Sequence, residues 1–304
     1  MWGYVGGLAG RSGASKFIDC SYEGDVISTN SSSGTYYPAG GILAESLDNV
    51  TITGCTYSGT LKSTAGYVGG ILGQSNASKG NACVISKCVT SGTLTATNSA
   101  GGIVGRTSNI GVAISDCGSS MNIIATMSNI GGIVGDLAKN STLKNCYSTG
   151  SIEGTFAVGG IVGRAFGRQD SSASLDADVK TTIDGCIAWN PSVKTITSGG
   201  ETPINHYSGG AVVGCSSRPN TLTGCWRRGD LAFNYYADAS LNVLFDHADS
   251  SPSTPLAQPS GSAKWFSPYH GKAAASGATL SAVAQSAGWS STIWDFSGGV
   301  PKLK

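Results

Sequence analysis

Charged residues are scarce in this sequence. Asp, Glu, Lys and Arg make up 12% of its 304 positions, about half the usual share of roughly 25%. This shortage excludes a coiled coil or a helical bundle, whose helices are rich in Glu, Lys and Arg. The formal net charge is only +1. A nucleic-acid binder is therefore excluded as well, because no basic stripe is present to displace counterions from phosphate.

Long apolar runs and histidines are equally few. The apolar runs are too short for a transmembrane segment, and the three histidines lie in different segments. A nucleophile elbow, a Walker loop and a His-Glu-x-x-His motif are absent. The first residues carry no signal-peptide pattern, so the chain is expected either to be intracellular or to be a mature piece of a longer protein.

Small residues, in contrast, are abundant. The sequence contains 45 Gly, 44 Ser and 26 Thr, which together occupy 115 positions. Disorder does not follow from this composition, because 40% of the residues are hydrophobic and the net charge is close to zero. The composition predicts a chain of strands and turns, with Gly where the backbone bends or approaches itself closely.

A Gly-Gly-apolar-apolar-Gly block recurs along the chain. Its first Gly falls at Gly6, Gly40, Gly69, Gly101, Gly131, Gly159 and Gly209, at spacings of 34, 29, 32, 30, 28 and 50 residues. The copies at Gly40 and Gly209 are degenerate. A fixed period of this length is typical of a solenoid or another stacked array.

A second block alternates with the first and consists of an apolar residue three places before a Cys. The seven cysteines are Cys20, Cys55, Cys88, Cys117, Cys146, Cys186 and Cys225. The residue just before each Cys is mostly Gly, Asn or Asp, which tolerate a left-handed turn. Another apolar residue follows six places after most of the cysteines, with Ser192 as the exception and Val193 beside it.

Each repeat of about 30 residues is too small to bury a core of its own. Such a unit is stable only when neighbours stack on it, each strand pairing with its equivalent at a spacing of about 4.8 Å. The sequence therefore predicts an all-β protein: a parallel β-helix or β-solenoid of about seven coils, with a C-terminal cap that contains one short helix.

The two blocks together resemble the GLUG-type repeat of surface and secreted proteins, especially those of Bacteroidetes. The ending at 288–303, Gly-Trp-Ser-Ser-Thr-Ile-Trp-Asp-Phe-Ser-Gly-Gly-Val-Pro-Lys-Leu, is similar to the ending that such arrays often carry. The resemblance covers roughly residues 1–230 and 264–304. It implies a surface-exposed β-helical protein, and it supplies no catalytic residues.

Three segments are expected along the chain. Residues 1–230 form the array, residues 231–263 form an irregular loop packed on it, and residues 264–304 form the cap. The first coil would present an open sheet edge, so upstream coils or a partner are expected to cover it. A helix is predicted within 276–288, with Thr279 as its cap and Gly288 as its stop. The aromatic residues Trp289, Trp294 and Phe296, together with Ile293, are expected to close the bottom of the solenoid.

The seven repeated cysteines are interpreted as an inward ladder of small apolar thiols. Disulfides between stacked neighbours remain the alternative, although parallel Cβ vectors would strain them. Cys83 and Cys215 lie outside the ladder and are candidates for a disulfide or a second ladder. Cys83 with Cys88 lacks the second pair that a zinc site needs.

Two sets of residues are candidates for a site. Asp170, Asp176 and Asp178 lie in the longest insertion, where they could bind Ca²⁺ or act as an acid pair; a solvated loop is the simpler interpretation, and no cofactor is otherwise expected. Tyr36, Tyr37, Tyr67, His206 and Tyr207 lie in the longer arms or just before a Gly-Gly block. Tyrosine there could stack on sugar rings, or could simply reflect strand propensity.

These features favour a non-enzymatic protein at the extracellular or outer-membrane surface. It would act as an adhesin or presentation module for a glycan or for a host or bacterial surface protein. A polysaccharide lyase or hydrolase that uses the three Asp residues is the second hypothesis. A structural subunit of an outer-membrane complex is the third.

Overall fold

Successive repeats stack on one another, and each short strand pairs with the equivalent strand of the next repeat. The computed structural model describes residues 3–29, 37–64, 66–78, 83–107, 111–127, 129–138, 140–155, 157–165, 181–195, 209–216, 220–233 and 267–304. Pairing between repeats is parallel throughout these residues. The predicted fold class, a parallel β-solenoid, is confirmed.

Four sheets run along the solenoid. Sheet 1 contains Val5–Gly6, Ala39–Gly40, Val68–Gly69, Ala100–Gly101, Ile130–Gly131, Val158–Gly159 and Gly209–Gly210. Sheet 2 contains Ala9–Ser12, Leu43–Ser46, Leu72–Ser75, Val104–Thr107, Val134–Leu137, Val162–Ala165, Val213–Ser216 and Ser267–Tyr269. Sheet 3 contains Lys16–Ile18, Thr51–Thr53, Cys83–Ser86, Val112–Ser115, Thr142–Lys144, Thr181–Asp184 and Asn220–Thr223. Sheet 4 contains Ser21–Glu23, Val26–Ser28, Thr56–Ser63, Val89–Ala96, Gly118–Ser119, Asn122–Ala125, Tyr147–Ser148, Ile152–Gly154, Ile187–Ala188, Ser192–Thr195, Trp226–Arg227, Ala232–Phe233 and Lys272–Ala273.

The C-terminal segment adds one helix and a small hairpin. The helix spans Leu280–Ser286, and the hairpin pairs Trp294–Asp295 with Lys302–Leu303. Thr279 caps the helix, since its hydroxyl accepts a hydrogen bond from the Ala282 amide. Gly288 follows with φ +79°. The prediction of a helix with this cap and this stop is confirmed.

The strand register moves the last Gly-Gly block by one residue. Val158 pairs with Gly209, and Gly159 pairs with Gly210, so the block begins at Gly210 and not at Gly209. Its second position is then Ala211 rather than Gly. A Cβ fits there because the neighbouring rung is not another Gly-Gly block. It is the antiparallel strand Ser267–Tyr269, whose Tyr269 carbonyl accepts from the Val212 amide.

The core consists of columns of equivalent side chains. From the second coil onward, the column that follows the Gly-Gly pairs is fully buried and contains Ile42, Ile71, Ile103, Ile133, Ile161 and Val212; Leu8 in the first coil is exposed. Equally buried is the column that follows the cysteines, which includes Leu61, Leu94, Ile123, Ile152 and Val193. Val193 pairs with Ile152, so the seventh residue after Cys186, not Ser192, occupies the core position.

The seven cysteines form the predicted ladder, and none of the nine cysteines, all of which lie in the described ranges, forms a disulfide. Each ladder thiol donates to the carbonyl of the residue two places earlier, at 3.2–3.5 Å. Six of the seven are buried, and Cys20 in the first coil is half-buried. Cys83 and Cys215 are also buried, and no disulfide joins them.

The turn before each ladder cysteine is left-handed in every repeat. The φ angles are positive at Asp19, Gly54, Lys87, Asp116, Asn145, Gly185 and Gly224. The residue types before the cysteines therefore reflect the left-handed backbone at this position, as expected. Lys87 is the unusual member, because a Cβ at φ 53° normally costs about 1 kcal/mol.

The C-terminal aromatic residues lie in a different place from the predicted one. They cover the outer side of sheet 4 rather than the bottom of the solenoid, packing around Tyr147 and Ile187. The Trp289 indole donates to the Gly185 carbonyl at 2.8 Å, and the Trp294 indole donates to Asp116 at 3.4 Å. The reason lies in the column of residues that directly follow each Cys and point outward. Its early members, Ser21 and Thr56, are polar and exposed, whereas its later members, Tyr147, Ile187 and Trp226, are large apolar side chains that the C-terminal aromatics cover.

Two strands from the C-terminal segment instead cover the last edges of sheets 2 and 4. Ser267–Tyr269 pairs antiparallel with Val213–Ser216, and Lys272–Ala273 pairs parallel with Trp226–Arg227. These strands supply hydrogen-bond partners that an open edge would lack. At the opposite end, Val5, Ala9, Phe17 and Cys20 are only partly buried.

The buried hydroxyl and thiol groups make stability sensitive to alkaline pH. Burial raises the pKa of Cys83 from 9.0 to about 12 and that of Tyr57 from 10.0 to about 12; burial also raises the pKa of Cys225 well above its usual value. Above pH 9 the unfolded chain loses these protons while the folded chain keeps them. We therefore expect the free energy of unfolding to be unaffected by these groups below pH 9 and to fall as pH rises towards 12.

Urea midpoints measured between pH 7 and pH 11 check this expectation. Cys83→Val should reduce the decline, since the variant lacks one of the thiols that must stay protonated. Equal midpoints at pH 8 and pH 11 would contradict it.

Candidate functional site

A row of charged and polar side chains follows sheet 2, one from each of its first six strands. Strand pairing places them in one column: Arg11, Glu45, Gln74, Arg106, Asp136 and Arg164. Each of these residues comes directly after the Gly-Gly-apolar-apolar-Gly block, or after Ala44 in the second copy. We call this column the charged row. Strand stacking separates its members by about 4.8 Å, which brings opposite charges into contact.

Asp136 is held between two arginines of this row. Arg164 binds it with both ends of its guanidinium group, at 3.1 Å and 2.6 Å, and Arg106 approaches from the other side at 3.7 Å. The Asp136 side chain is 7% exposed. A carboxylate so enclosed requires its cationic partners, because a buried charge without them is costly.

Glu45 has a similar arrangement three rungs away. Its side chain is 4% exposed and lies 2.5 Å from the Arg11 guanidinium. The Asn76 amide donates to its other oxygen at 3.0 Å. The two carboxylates of the row are therefore both covered by their partners.

The guanidinium groups remain the accessible part of the row. Arg11 is 49% exposed, Arg106 is 38% exposed and Arg164 is 28% exposed. Because the acids lie beneath them, the surface offers cationic donors to solvent. A ligand that meets this surface would be recognised by anionic oxygens, which guanidinium groups bind with paired hydrogen bonds.

Tyrosines accompany two of these arginines. The Arg11 guanidinium lies 5.3 Å from the ring centre of Tyr4, and that of Arg106 lies 4.6 Å from the ring centre of Tyr67. Arg106 also donates to the Tyr67 hydroxyl. Tyr37 meets Tyr4 edge to face, with ring centres 6.1 Å apart. We call these five residues the Tyr–Arg face.

Two of the predicted site residues belong to this face. Tyr37 and Tyr67 lie on adjacent rungs and are both half-buried. An arginine covers one side of the Tyr67 ring. The equivalent positions in the next three repeats are buried Ser99, Asn129 and Ala157, so among these repeats the aromatic feature belongs to the beginning of the solenoid.

The other predicted site residues lie outside the described part of the chain. These are Tyr36, His206, Tyr207 and the three residues proposed for Ca²⁺ or acid catalysis, Asp170, Asp176 and Asp178. Within the described ranges, no cluster of three or more His, Cys, Asp or Glu could hold a metal ion. Of the helices described there, none has the length and apolar character needed to cross a bilayer.

Sequence reasoning missed the charged row, although a signal for it was present. The position after each Gly-Gly block alternates between cationic, acidic and amide side chains. Stacking such positions on adjacent coils implies ion pairs along the solenoid axis. The tyrosines were found as single residues, but their arginine partners follow only from this register.

Comparison with known proteins defines the fold and leaves the family open. No family model matches the chain, and no curated protein matches it. Among solved structures, the chain is similar to a crystal structure from Bacteroides ovatus named "putative immunoglobulin A1 protease". The identity is 21%, the TM-score is 0.57, and the match covers 92% of this chain and 74% of that chain. At this identity the likeness shows a shared fold alone.

The enclosure of Asp136 leads to a prediction about stability. Asp136→Asn should lower the free energy of unfolding by about 1–3 kcal/mol, because two guanidinium groups lose their shared carboxylate. Asp230→Asn is the matched control. Asp230 also binds an arginine with both oxygens, at 2.5 Å and 2.8 Å, but it is 69% exposed, so its loss should lower stability much less than the loss of Asp136.

Chemical unfolding of both variants in urea measures the difference. Equal effects of the two substitutions would show that the enclosure of Asp136 adds nothing to its ion pairs.

Proposed function

We propose that this chain is a non-catalytic binding module of a GLUG-like surface or secreted protein, and that its Tyr–Arg face binds an acidic glycan. The observation that carries the proposal is the unequal exposure along the charged row. Arg11 and Arg106 are 49% and 38% exposed, whereas the carboxylates Glu45 and Asp136 are 4% and 7% exposed. The face therefore presents guanidinium donors beside aromatic rings.

The chemistry of this face suits uronic or sulfated sugars. A guanidinium group donates two parallel hydrogen bonds to a carboxylate or a sulfate, and a tyrosine ring offers an apolar surface for the C–H face of a sugar. Arg11 and Arg106 are three rungs apart, about 14 Å along the axis. This length favours an extended oligosaccharide over a single sugar.

A protein ligand is the second candidate for the same face. An acidic segment of a host or bacterial surface protein would satisfy the same guanidinium groups. It would not, however, require the tyrosine rings for stacking on sugar. The effect of removing a ring thus separates the two ligands.

Enzymatic and structural roles are alternatives of lower rank. The polysaccharide lyase or hydrolase hypothesis depends on Asp170, Asp176 and Asp178, which are not among the described residues. The name of the Bacteroides ovatus neighbour suggests a further alternative, protease activity against immunoglobulin A1. Incubation with immunoglobulin A1 and with polysaccharides tests both activities, and release of products would overturn a non-catalytic role.

The first coil supports a further part of the proposal, an assembly contact. Phe17 and Cys20 are partly exposed, whereas Ile52 and Cys55 at the same positions of the next coil are fully buried. Covering this edge with further coils or with a partner protein would complete the core. A structural subunit of an outer-membrane complex would use the same contact.

The binding proposal is tested with defined oligosaccharides. Calorimetry should detect binding of an oligogalacturonide or of a chondroitin sulfate oligosaccharide. It should detect no binding of a neutral cello-oligosaccharide to this face. Arg106→Ala should weaken binding of the acidic oligosaccharide at least tenfold, because it removes a charge-assisted pair of hydrogen bonds. Tyr4→Ala should weaken binding of a glycan but leave binding of an acidic peptide unchanged.

Lys62→Ala is the matched control, since Lys62 is an exposed cation on sheet 4. A similar loss with Lys62→Ala would indicate nonspecific attraction. Undiminished binding by Arg106→Ala would show that the Tyr–Arg face is not the site.

A further inference from the structure

A pocket lies at the opposite end of the solenoid from the Tyr–Arg face. Its volume is about 430 Å³, and it opens between the turn after Trp226–Arg227 and the residues that precede the helix. Trp189, Arg228 and Asp230 supply its large and charged lining. The volume falls within the range of about 300–1,000 Å³ that is usual for small-molecule sites.

Small residues create the space in this pocket. The lining on the side of the helix consists only of small residues: Ala274, Ala275, Ser276, Gly277 and Ala278. Trp189 also lines the pocket, and it is half-buried because it packs against the cluster around Tyr147 and Ile187. Its backbone amide donates to the Ser148 carbonyl at 2.8 Å. The pocket thus has one broad aromatic side chain in a backbone position fixed by strand stacking.

A charged pair lies in the same lining. Arg228 binds Asp230 through Nε at 2.5 Å and through an Nη nitrogen at 2.8 Å. A hydrogen bond from Arg228 lowers the pKa of Asp230, so the carboxylate is ionised at neutral pH. The two charges cancel, which distinguishes this pocket from the cationic Tyr–Arg face. Both groups keep further hydrogen-bonding positions open, as they are 36% and 69% exposed.

We propose that this pocket binds a neutral pyranose sugar. The indole of Trp189 contacts the apolar face of the ring, as aromatic side chains do with amphipathic ligands. Two neighbouring hydroxyl groups of the sugar bond to Arg228 and Asp230, one accepting from the guanidinium and one donating to the carboxylate. The small residues opposite leave room for the ring to enter. No residue of this site belongs to the Tyr–Arg face, so either site can fail without the other.

Ligand-observed NMR with the full chain tests the proposal. The probes are the methyl β-pyranosides of glucose, galactose and N-acetylglucosamine, with methyl β-glucuronide as the acidic comparison. At least one neutral glycoside should bind saturably and more tightly than the glucuronide. Asp230→Ala and Trp189→Phe should each weaken binding of this glycoside at least fivefold. Arg106→Ala on the Tyr–Arg face should change its affinity less than twofold.

Three results would overturn the proposal. They are no saturable binding of any neutral probe, tighter binding of the glucuronide, and unchanged binding by Asp230→Ala. Asp230 is largely exposed, so its variant should fold normally, and its circular dichroism spectrum verifies this. A filling variant, Ala275→Phe, should abolish binding without removing any polar side chain of the lining.

Discussion

The close approach of backbone to backbone at the Gly-Gly pairs is the constraint on which the solenoid depends. A Cβ at the second Gly would lie 2.1 Å from the carbonyl oxygen of its equivalent in the next coil at Gly41, Gly70, Gly102 and Gly132. A Cβ at the first Gly would meet the carbonyl three residues later in its own coil, at 2.0 Å for Gly40 and Gly101. Only Gly allows this bend and this stacking together. Ala211 occurs at the equivalent position where the Gly-Gly series ends.

This constraint separates the residues of the scaffold from those available for binding. Gly pairs, left-handed turns, buried aliphatic columns and the thiol ladder specify the coil. Outward positions are free to vary, and they do so in an organised way at three places. The charged row presents arginines, the column at Tyr147 and Ile187 receives the C-terminal aromatics, and the last turn provides Arg228 and Asp230 for the end pocket.

Much of the scaffold could be predicted from the sequence, because each feature recurs at one position of the repeat. The left-handed turns, the buried cysteines and the cap of the helix are examples. The lateral position of Trp289 and Trp294 could not be predicted, since it depends on an outward column at Tyr147 that makes sense only after the coils are aligned. The enclosure of Asp136 by two arginines likewise requires register and distance. Tyr67 was found from its position before a Gly-Gly block, but Arg106, which covers it, lies 39 residues away.

The dependence of the solenoid on the Gly-Gly contact is tested most directly by adding one methyl group to a Gly of the pair. Gly102→Ala places a Cβ 2.1 Å from the Gly132 carbonyl and 2.2 Å from the Ser119 hydroxyl. It should lower the free energy of unfolding by at least about 3 kcal/mol, or prevent folding. Gly299→Ala, where nothing lies within 4 Å of the added Cβ, should change it by less than about 1 kcal/mol. Equal stability of the two variants in urea unfolding would contradict the central role of the Gly-Gly contact.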